Sequence, residues 1–349
     1  TQIVISPGSR STPLVIAADQ HPALNCHVLV DERSAAFFAL GMAKYRKFPV
    51  ALVSTSGSAP ANWYPAIVEA AQSFVPLVLL TADRPWELQH CGANQTIDQV
   101  KLFGDMVNAF HALPNAEASP ASLNKLHGLG RQLVAESQWP AAGPVHVNMP
   151  FREPLVPADY PIDAPGSEVS VQELPATIIP GQQLARFRDA VSAKSGLILC
   201  GPGIQDEEFA AAVTRLAAKL QCPILADPLA NLRHGSHDKD LVVSRYALFL
   251  AGSEAMDTPE WIIRFGAMPV SSALQKYLAS CSCPQFVVDH RGRWPDPLNQ
   301  ADQVLNASPA TLCGQLNALD LQPADSGWAD LWLGHETYCD RWLDSAGME

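Results

Sequence analysis

A chain of 349 residues has room for two domains or one large one. Its 48% hydrophobic and 17% charged content is that of a globular protein with a sizeable core. The formal net charge of −12, without any Lys/Arg block, argues against a nucleic-acid-binding surface, and no apolar run approaches the roughly 18 residues of a membrane span.

In chain order, residues 3–6 read as a strand that runs into the turn Pro7-Gly8, and 11–18 as a helix with Pro13 in its first turn. Further strands are expected at 26–30, 50–54, 77–81 and 145–149, with helices at 34–45, 59–73 and 121–137 between them. This alternation implies βαβ units and a parallel sheet. From 151 to 180 the texture changes: Pro154, Pro157, Pro161, Pro165, Pro175 and Pro180 mark an extended interdomain linker. A second alternating block follows, with the strand and glycine turn GLILCGPGI at 196–204, a helix opened by Asp206 and Glu207, and the strand CPILAD at 222–227. The segments WIIRFGAMPVSS and PQFVVDHRGR supply two more strands.

The glycine turn at 201–203 lacks the third glycine of a dinucleotide fingerprint, because position 206 is Asp. Asp227 nevertheless stands about where an acid would hold a ribose; a plain βα turn and a nucleotide site both accommodate this pattern. The eight cysteines form no CxxC pair, and Cys281 with Cys283 forms only CxC. They read as reduced thiols of a cytoplasmic protein rather than zinc ligands. No signal peptide is visible at the N-terminus.

In the first block, polar residues stand at the C-terminal end of nearly every expected strand. They are Ser6 to Ser11, then Asp31-Glu32-Arg33, then Thr55 to Asn62, then Thr81 to Arg84, followed by CGANQTIDQ at 91–99. In an open parallel sheet these ends converge on one crevice. Glu32 could be a proton partner for a bound ring, or an acid that caps the next helix or pairs with Arg33. Arg10 and Arg84 could grip carboxylates, or form salt bridges to Asp31 or Asp83. Ser9, Asn94 and Gln95 could bind a ligand or stabilise turns.

The ordered segments ISPGSRSTPL, DERSAAFFALGMAK, TSGSAPANWYPAIVEA, LLTADRP and CGANQTIDQ resemble the family of 2-succinyl-5-enolpyruvyl-6-hydroxy-3-cyclohexene-1-carboxylate (SEPHCHC) synthases. These are thiamine-diphosphate enzymes of menaquinone biosynthesis. The second block resembles the family's central domain through CGPG, WIIRFGAMPVS and VVDHRGRWPDP. The resemblance implies an α/β fold of two doubly wound parallel-sheet domains. A pyrimidine-binding domain would span 1–155, a Pro-rich linker 156–180, a Rossmann-like central domain 181–330, and the start of a further linker 331–349.

The implied activity is decarboxylation of 2-oxoglutarate and addition of the remaining four-carbon unit to isochorismate. By residue match, Glu32 would contact the cofactor's aminopyrimidine nitrogen; in an apolar crevice its carboxyl would hold a proton more readily and share it with the ring. Ser9, Arg10, Arg84, Asn94 and Gln95 would line the substrate side, and Pro7, Thr55 and Asn62 would wall the pyrimidine pocket. Mg²⁺ or Mn²⁺ belongs to the full-length enzyme, with its ligands absent from this chain, as does assembly into a dimer or tetramer.

Two departures stand out. Ser271 and Ser272 occupy the place of a family Lys, or Lys-Arg pair, so a cation for the acidic substrate is missing unless Lys276 or another residue substitutes. The metal signature GDG…N is absent too; the nearest string is Gly104-Asp105-Met106. The chain therefore reads as a fragment, expected to be inactive alone. Another thiamine-diphosphate carboligase or decarboxylase, and a non-catalytic nucleotide- or metabolite-binding module, remain as alternatives.

Overall fold

The computed structural model describes residues 1–115, 119–156, 177–203, 207–252, 256–292 and 294–347. The chain divides into two compact units, Thr1–Gln172 and Glu173–Glu349, each built on a six-stranded parallel sheet. Most of the proline-rich stretch, with Pro157, Pro161, Pro165 and Pro175, lies outside the described residues, as do Asp206 and Arg293.

The first unit contains β1 (Gln2–Ile5), α1 (Thr12–Gln20), β2 (Asn25–Val28), α2 (Glu32–Arg46), β3 (Val50–Ser54), α3 (Tyr64–Ser73), β4 (Leu77–Asp83), β5 (Ala109–Ala112), α4 (Pro120–Gln138) and β6 (Pro144–Pro150). Its strand order is β2-β1-β3-β4-β6-β5. The chain leaves β1 toward β2 on one side and leaves β3 toward β4 on the other. The connections therefore diverge between β1 and β3, which is where doubly wound sheets open a crevice at their carboxyl ends. On α2, Ala35, Ala36, Ala39 and Ala43 are buried, and they pack in one core with Leu52, Trp63, Ile67 and Phe103. Small side chains on that stripe let the helix lie close to the sheet.

Three differences from the sequence reading have local causes. The helix expected at 59–73 begins as a 3-10 turn, Pro60–Trp63, before α3. Pro60 and Pro65 each lack an N–H, and each occupies the first turn of its element. Strand β2 stops at Val28, ahead of the turn at Asp31 that caps α2. The short edge strand β5 was not expected, because AFHA carries too few residues to show a period.

The second unit contains α5 (Gly181–Val191), β7 (Gly196–Cys200), α6 (Glu207–Leu220), β8 (Ile224–Ala226), β9 (Val242–Val243), α7 (Tyr246–Phe249), β10 (Trp261–Phe265), α8 (Ser272–Ser280), β11 (Gln285–Val288), β12 (Gln303–Leu305), α9 (Pro309–Asn317) and α10 (Ser326–Ser345). Its strand order is β12-β11-β10-β7-β8-β9. Residues 331–349, expected to begin a linker, fall largely within α10, whose Trp332 is fully buried among Leu199, Tyr277 and Leu278. All eight cysteines are unpaired.

The diverging connections of this second sheet lie between β7 and β10, and backbone closes them. Gly201 N–H donates to Phe265 O and Ala267 N–H donates to Pro202 O, both at 2.9 Å. A Cβ on Gly201 would stand 1.7 Å from Ala267 O. Replacement of Gly201 by Ala is expected to destabilise this unit by about 2 kcal/mol or more. Urea unfolding followed by tryptophan fluorescence would measure it.

Candidate functional site

The two neighbouring acids after β2 have separate tasks. Asp31 is the N-cap of α2 and accepts Ser34 N–H at 2.7 Å. Glu32 opens the helix half-buried, and its carboxylate has no hydrogen bond or ion pair among the described residues. The capping role open to Glu32 in the sequence thus belongs to Asp31.

At the carboxyl ends of β1 and β3 the chain is packed closely enough to require glycine. A Cβ on Gly8 would lie 2.4 Å from Thr55 Cβ. Thr55 is buried, and its Oγ1 accepts Arg10 N–H at 3.3 Å, which ties the two strand exits together. Pro7 and Ser9 flank this contact on the exposed surface, and Ser6 is buried with its Oγ unpartnered. Asn62 is exposed and donates to Ser58 O at 3.3 Å.

Arg10 is 5% exposed, yet its guanidinium makes few contacts. It donates to Phe151 O at 2.9 Å and to Glu153 Oε1 at 3.3 Å, while Nε is buried without a partner. Burial first, and the positive charge of Arg84 second, pull the Arg10 guanidinium below its ordinary value. Arg84 does not pair with Asp83 through its side chain; its Nε and Nη2 donate to Asn94 O at 3.3 and 3.1 Å. Two guanidinium groups that feel each other, with the exposed Glu153 as the acid bonded to Arg10, make a site suited to an anion.

Beneath them lies a polar network that the sequence reading did not identify. Asp83, Gln99, Asn148, Thr81 and His146 are all buried. Asp83 accepts Arg84 N–H and Asn148 Nδ2, each at 2.7 Å. Burial pushes the Asp83 carboxyl above the usual range, and those two donors oppose the shift. Gln99 accepts Gly57 N–H at 2.8 Å and donates to Ala82 O and Asn148 Oδ1. A signal for this network was available. His146 and Asn148 stand two apart in the apolar run of β6, as do Thr81 and Asp83 in β4, and period two places each pair on one face of its strand.

Other residues singled out in the sequence stand as follows. Gly104-Asp105-Met106 forms a 3-10 turn. Ser271 is the N-cap of α8 and accepts Leu274 N–H, Ser272 opens the helix, and Lys276 is exposed. Asp227 caps the turn Pro228–Ala230, accepting Leu229 N–H at 2.9 Å. Gly203 directs its carbonyl to Arg291 Nη2 at 2.6 Å. In the same unit, Arg264 and Asp296 form a buried ion pair at 2.9 Å. No cluster of three or more His, Cys, Asp or Glu side chains is arranged to hold a metal among the described residues, and no described helix is long and apolar enough to cross a membrane.

Residues 1–102 match the family described as thiamine pyrophosphate enzyme, N-terminal TPP binding domain. Over 333 residues, 94% of the chain, it is 42% identical to the SEPHCHC synthase of Dechloromonas aromatica (strain RCB), of which it covers 61%. It is 45% identical over 346 residues to the corresponding synthase of Geobacillus thermodenitrificans (strain NG80-2), covering 58% of that protein. The chain thus spans about 60% of the length of these relatives. Among solved structures, a putative thiamin diphosphate-dependent enzyme from Mycobacterium smegmatis superposes with a TM-score of 0.67 at 19% identity, over 93% of this chain and 61% of that one. Benzoylformate decarboxylase from Polynucleobacter necessarius gives 0.64 at 17%, over 92% and 59%. These two likenesses speak to the fold.

Burial holds His146 to about 3. A protonated unfolded chain then competes with a neutral folded one. The contribution is whole above about pH 6.5 and is lost as pH falls toward 3, by about 1 kcal/mol per pH unit. His146→Gln keeps an N–H for Thr81 but cannot take up the proton. Urea unfolding between pH 6.5 and 5 should show a shallower loss of stability for the variant than for the wild type.

Proposed function

We propose, on the premise that this chain belongs to the SEPHCHC synthase family, that it supplies the ring-binding and acid-binding side of a thiamine-diphosphate-dependent transferase of menaquinone biosynthesis. The reaction would decarboxylate 2-oxoglutarate and join the remaining unit to isochorismate. One observation carries the reading: Glu32 is left without a partner because Asp31 makes the helix cap, and the strand that precedes it exits on the same sheet edge as the Arg10–Arg84 pair.

The residues present fit the ring end of the cofactor. Gly8 and Thr55 make a close-packed floor, and Glu32 offers an unengaged carboxylate beside it in the strand order. Thiamine diphosphate, when bound, supplies the carbon centre on which decarboxylation and carbon–carbon bond formation take place. Glu32 would hold and return a proton at the pyrimidine nitrogen. Pro7, Thr55 and Asn62 would wall the ring. Arg10 and Arg84 would grip the carboxylates of 2-oxoglutarate and isochorismate, with Ser9, Asn94 and Gln95 completing the substrate side.

Glu32 performs this proton work best when water is excluded. Val28, Val30, Phe37, Phe38 and Tyr45, on β2, the turn after it and α2, expose apolar surface, and Tyr45 is 88% exposed. A second copy of the protein, in a dimer or tetramer, would cover that face and shield the carboxyl. The metal, Mg²⁺ or Mn²⁺, would be held by an acid and an amide of the GDG…N signature, which this chain's sequence does not carry. The intact protein would work in the cytoplasm.

Two measurements on the intact protein that contains this chain test the reading. Glu32→Gln should lower kcat about a hundredfold or more, with KM for 2-oxoglutarate changed less than about threefold. Arg84→Met should raise that KM about 10- to 100-fold, the loss of one or two charge-assisted hydrogen bonds. A wild-type protein that prefers pyruvate as donor would instead be a different carboligase. One that binds no thiamine diphosphate by calorimetry would sink the reading.

A further inference from the structure

The hydrogen bonds under the first unit's crevice close on themselves. Asp83 Oδ1 accepts the Arg84 N–H at 2.7 Å, and the Arg84 guanidinium donates to Asn94 O. The next residue, Gln95, exchanges two bonds with Ser56: Nε2 donates to Ser56 O and Gln95 O accepts Ser56 Oγ, both at 3.1 Å. Gly57 N–H donates to Gln99 Oε1 at 2.8 Å. Gln99 Nε2 donates to Asn148 Oδ1 at 2.8 Å, and Asn148 Nδ2 returns to Asp83 Oδ2 at 2.7 Å. The outer arc, through Asn94 and Gln95, is exposed, whereas Asp83, Gln99 and Asn148 on the inner arc are 2%, 1% and 4% exposed.

The inner arc has no slack. Both Gln99 amide protons are used, one on Ala82 O and one on Asn148, and its oxygen is taken by Gly57. Gly57 itself has φ +85°, and a Cβ there would meet Gln95 Cγ at 2.8 Å, so the turn has one narrow seat. Through Thr55, two residues earlier, the same turn holds the backbone of Arg10. The inner arc therefore links the segment that carries Arg10 to the corner that carries Arg84.

We propose that Gln99 is a positioning residue that sets the spacing of Arg84 from the Thr55–Gly57 turn, and thereby the length of dicarboxylate that the Arg10–Arg84 pair accepts. The selectivity half of this inference rests on the function proposed above. The coupling half rests on geometry alone. Gln99 touches no reacting group, and its effect passes through Gly57 and Asn148.

The test uses Gln99→Met, which keeps length and removes every bond, and Gln99→Glu with and without Asp83→Asn. In the double variant the Asn148 amide can turn over. A carboxyl buried at 99 keeps a proton, which it gives to Ala82 O in place of the lost amide proton; Asn148 Nδ2 then faces that carboxyl, Asn148 Oδ1 accepts from Asn at 83, and Thr81 can give its proton to Val147 O, already 3.3 Å away. Hydrogen exchange on the intact protein reads the coupling. Gln99→Met should speed exchange at the Gly57 and Arg84 amides together, about tenfold or more, and the double variant should slow both again. A response at Gly57 with none at Arg84 overturns the proposal.

Kinetics read the selectivity. Gln99→Met should raise KM for 2-oxoglutarate about tenfold, leave kcat within about threefold, and erode the preference over 2-oxo diacids one carbon shorter or longer. The double variant should bring KM back to within about threefold of wild type, which Gln99→Glu alone should not. Unchanged length preference in a folded variant overturns the proposal, as does a uniform fall of kcat, substrate affinity and cofactor affinity in step with thermal stability. If exchange shows the coupling but wild-type protein neither binds nor turns over 2-oxoglutarate, the assigned function fails and so does the selectivity drawn from it, while Gln99 stands as the residue that spaces Arg84.

Discussion

The first unit depends on one demand: the Asn148 side chain, buried in the middle of a parallel sheet, must satisfy both ends of its amide. Its oxygen accepts from Thr81 and Gln99 and its nitrogen donates to Asp83. A polar group left unpaired at that depth costs about 1–3 kcal/mol. The partners of Asn148 are therefore held in place, and the strand exits above them inherit that order. The crevice is shaped from beneath by these hydrogen bonds.

The same physics sorts the acids by what reaches them. Asp31 meets a helix N–H and becomes a cap. Asp83 meets three donors in a buried setting, Arg84 N–H, Asn148 Nδ2 and Gln89 Nε2, and becomes an anchor. Asp227 meets a turn N–H and closes a loop. Glu32, one residue beyond Asp31, meets no donor among the described residues, and its carboxylate stays unengaged. The arginines divide likewise. Arg264 is neutralised by the buried Asp296, whereas Arg10 is desolvated beside a second guanidinium and an exposed acid.

The two sheets share a plan but differ at their points of divergence. In the first, glycine and threonine close the floor and leave side chains of both charges at the exits. In the second, backbone from β7 and β10 interlocks across the gap, and the glycine turn presents its carbonyl to Arg291. A glycine-rich turn after a strand is thus compatible with an open cradle or with a closed joint. Its neighbours in space decide which.

Much of the architecture was legible in the sequence because strand–helix alternation is a local signal. Runs such as 50–53 and 77–80 are apolar throughout, as strands buried on both faces must be, and the strand exits follow directly from them. Short edge elements such as β5 and β9 were not legible, because two to four residues carry no period. The candidate residues were visible as polar strand ends. Their partners were not: Arg10 finds Glu153 across 143 positions, and Gly57 finds Gln99 across 42. By itself the sequence determined which residues stand at the exits of a parallel sheet. Only the tertiary structure decided which of them are spent on one another and which are left free, because a parallel sheet brings remote strand ends together and a hydrogen bond answers to distance in space.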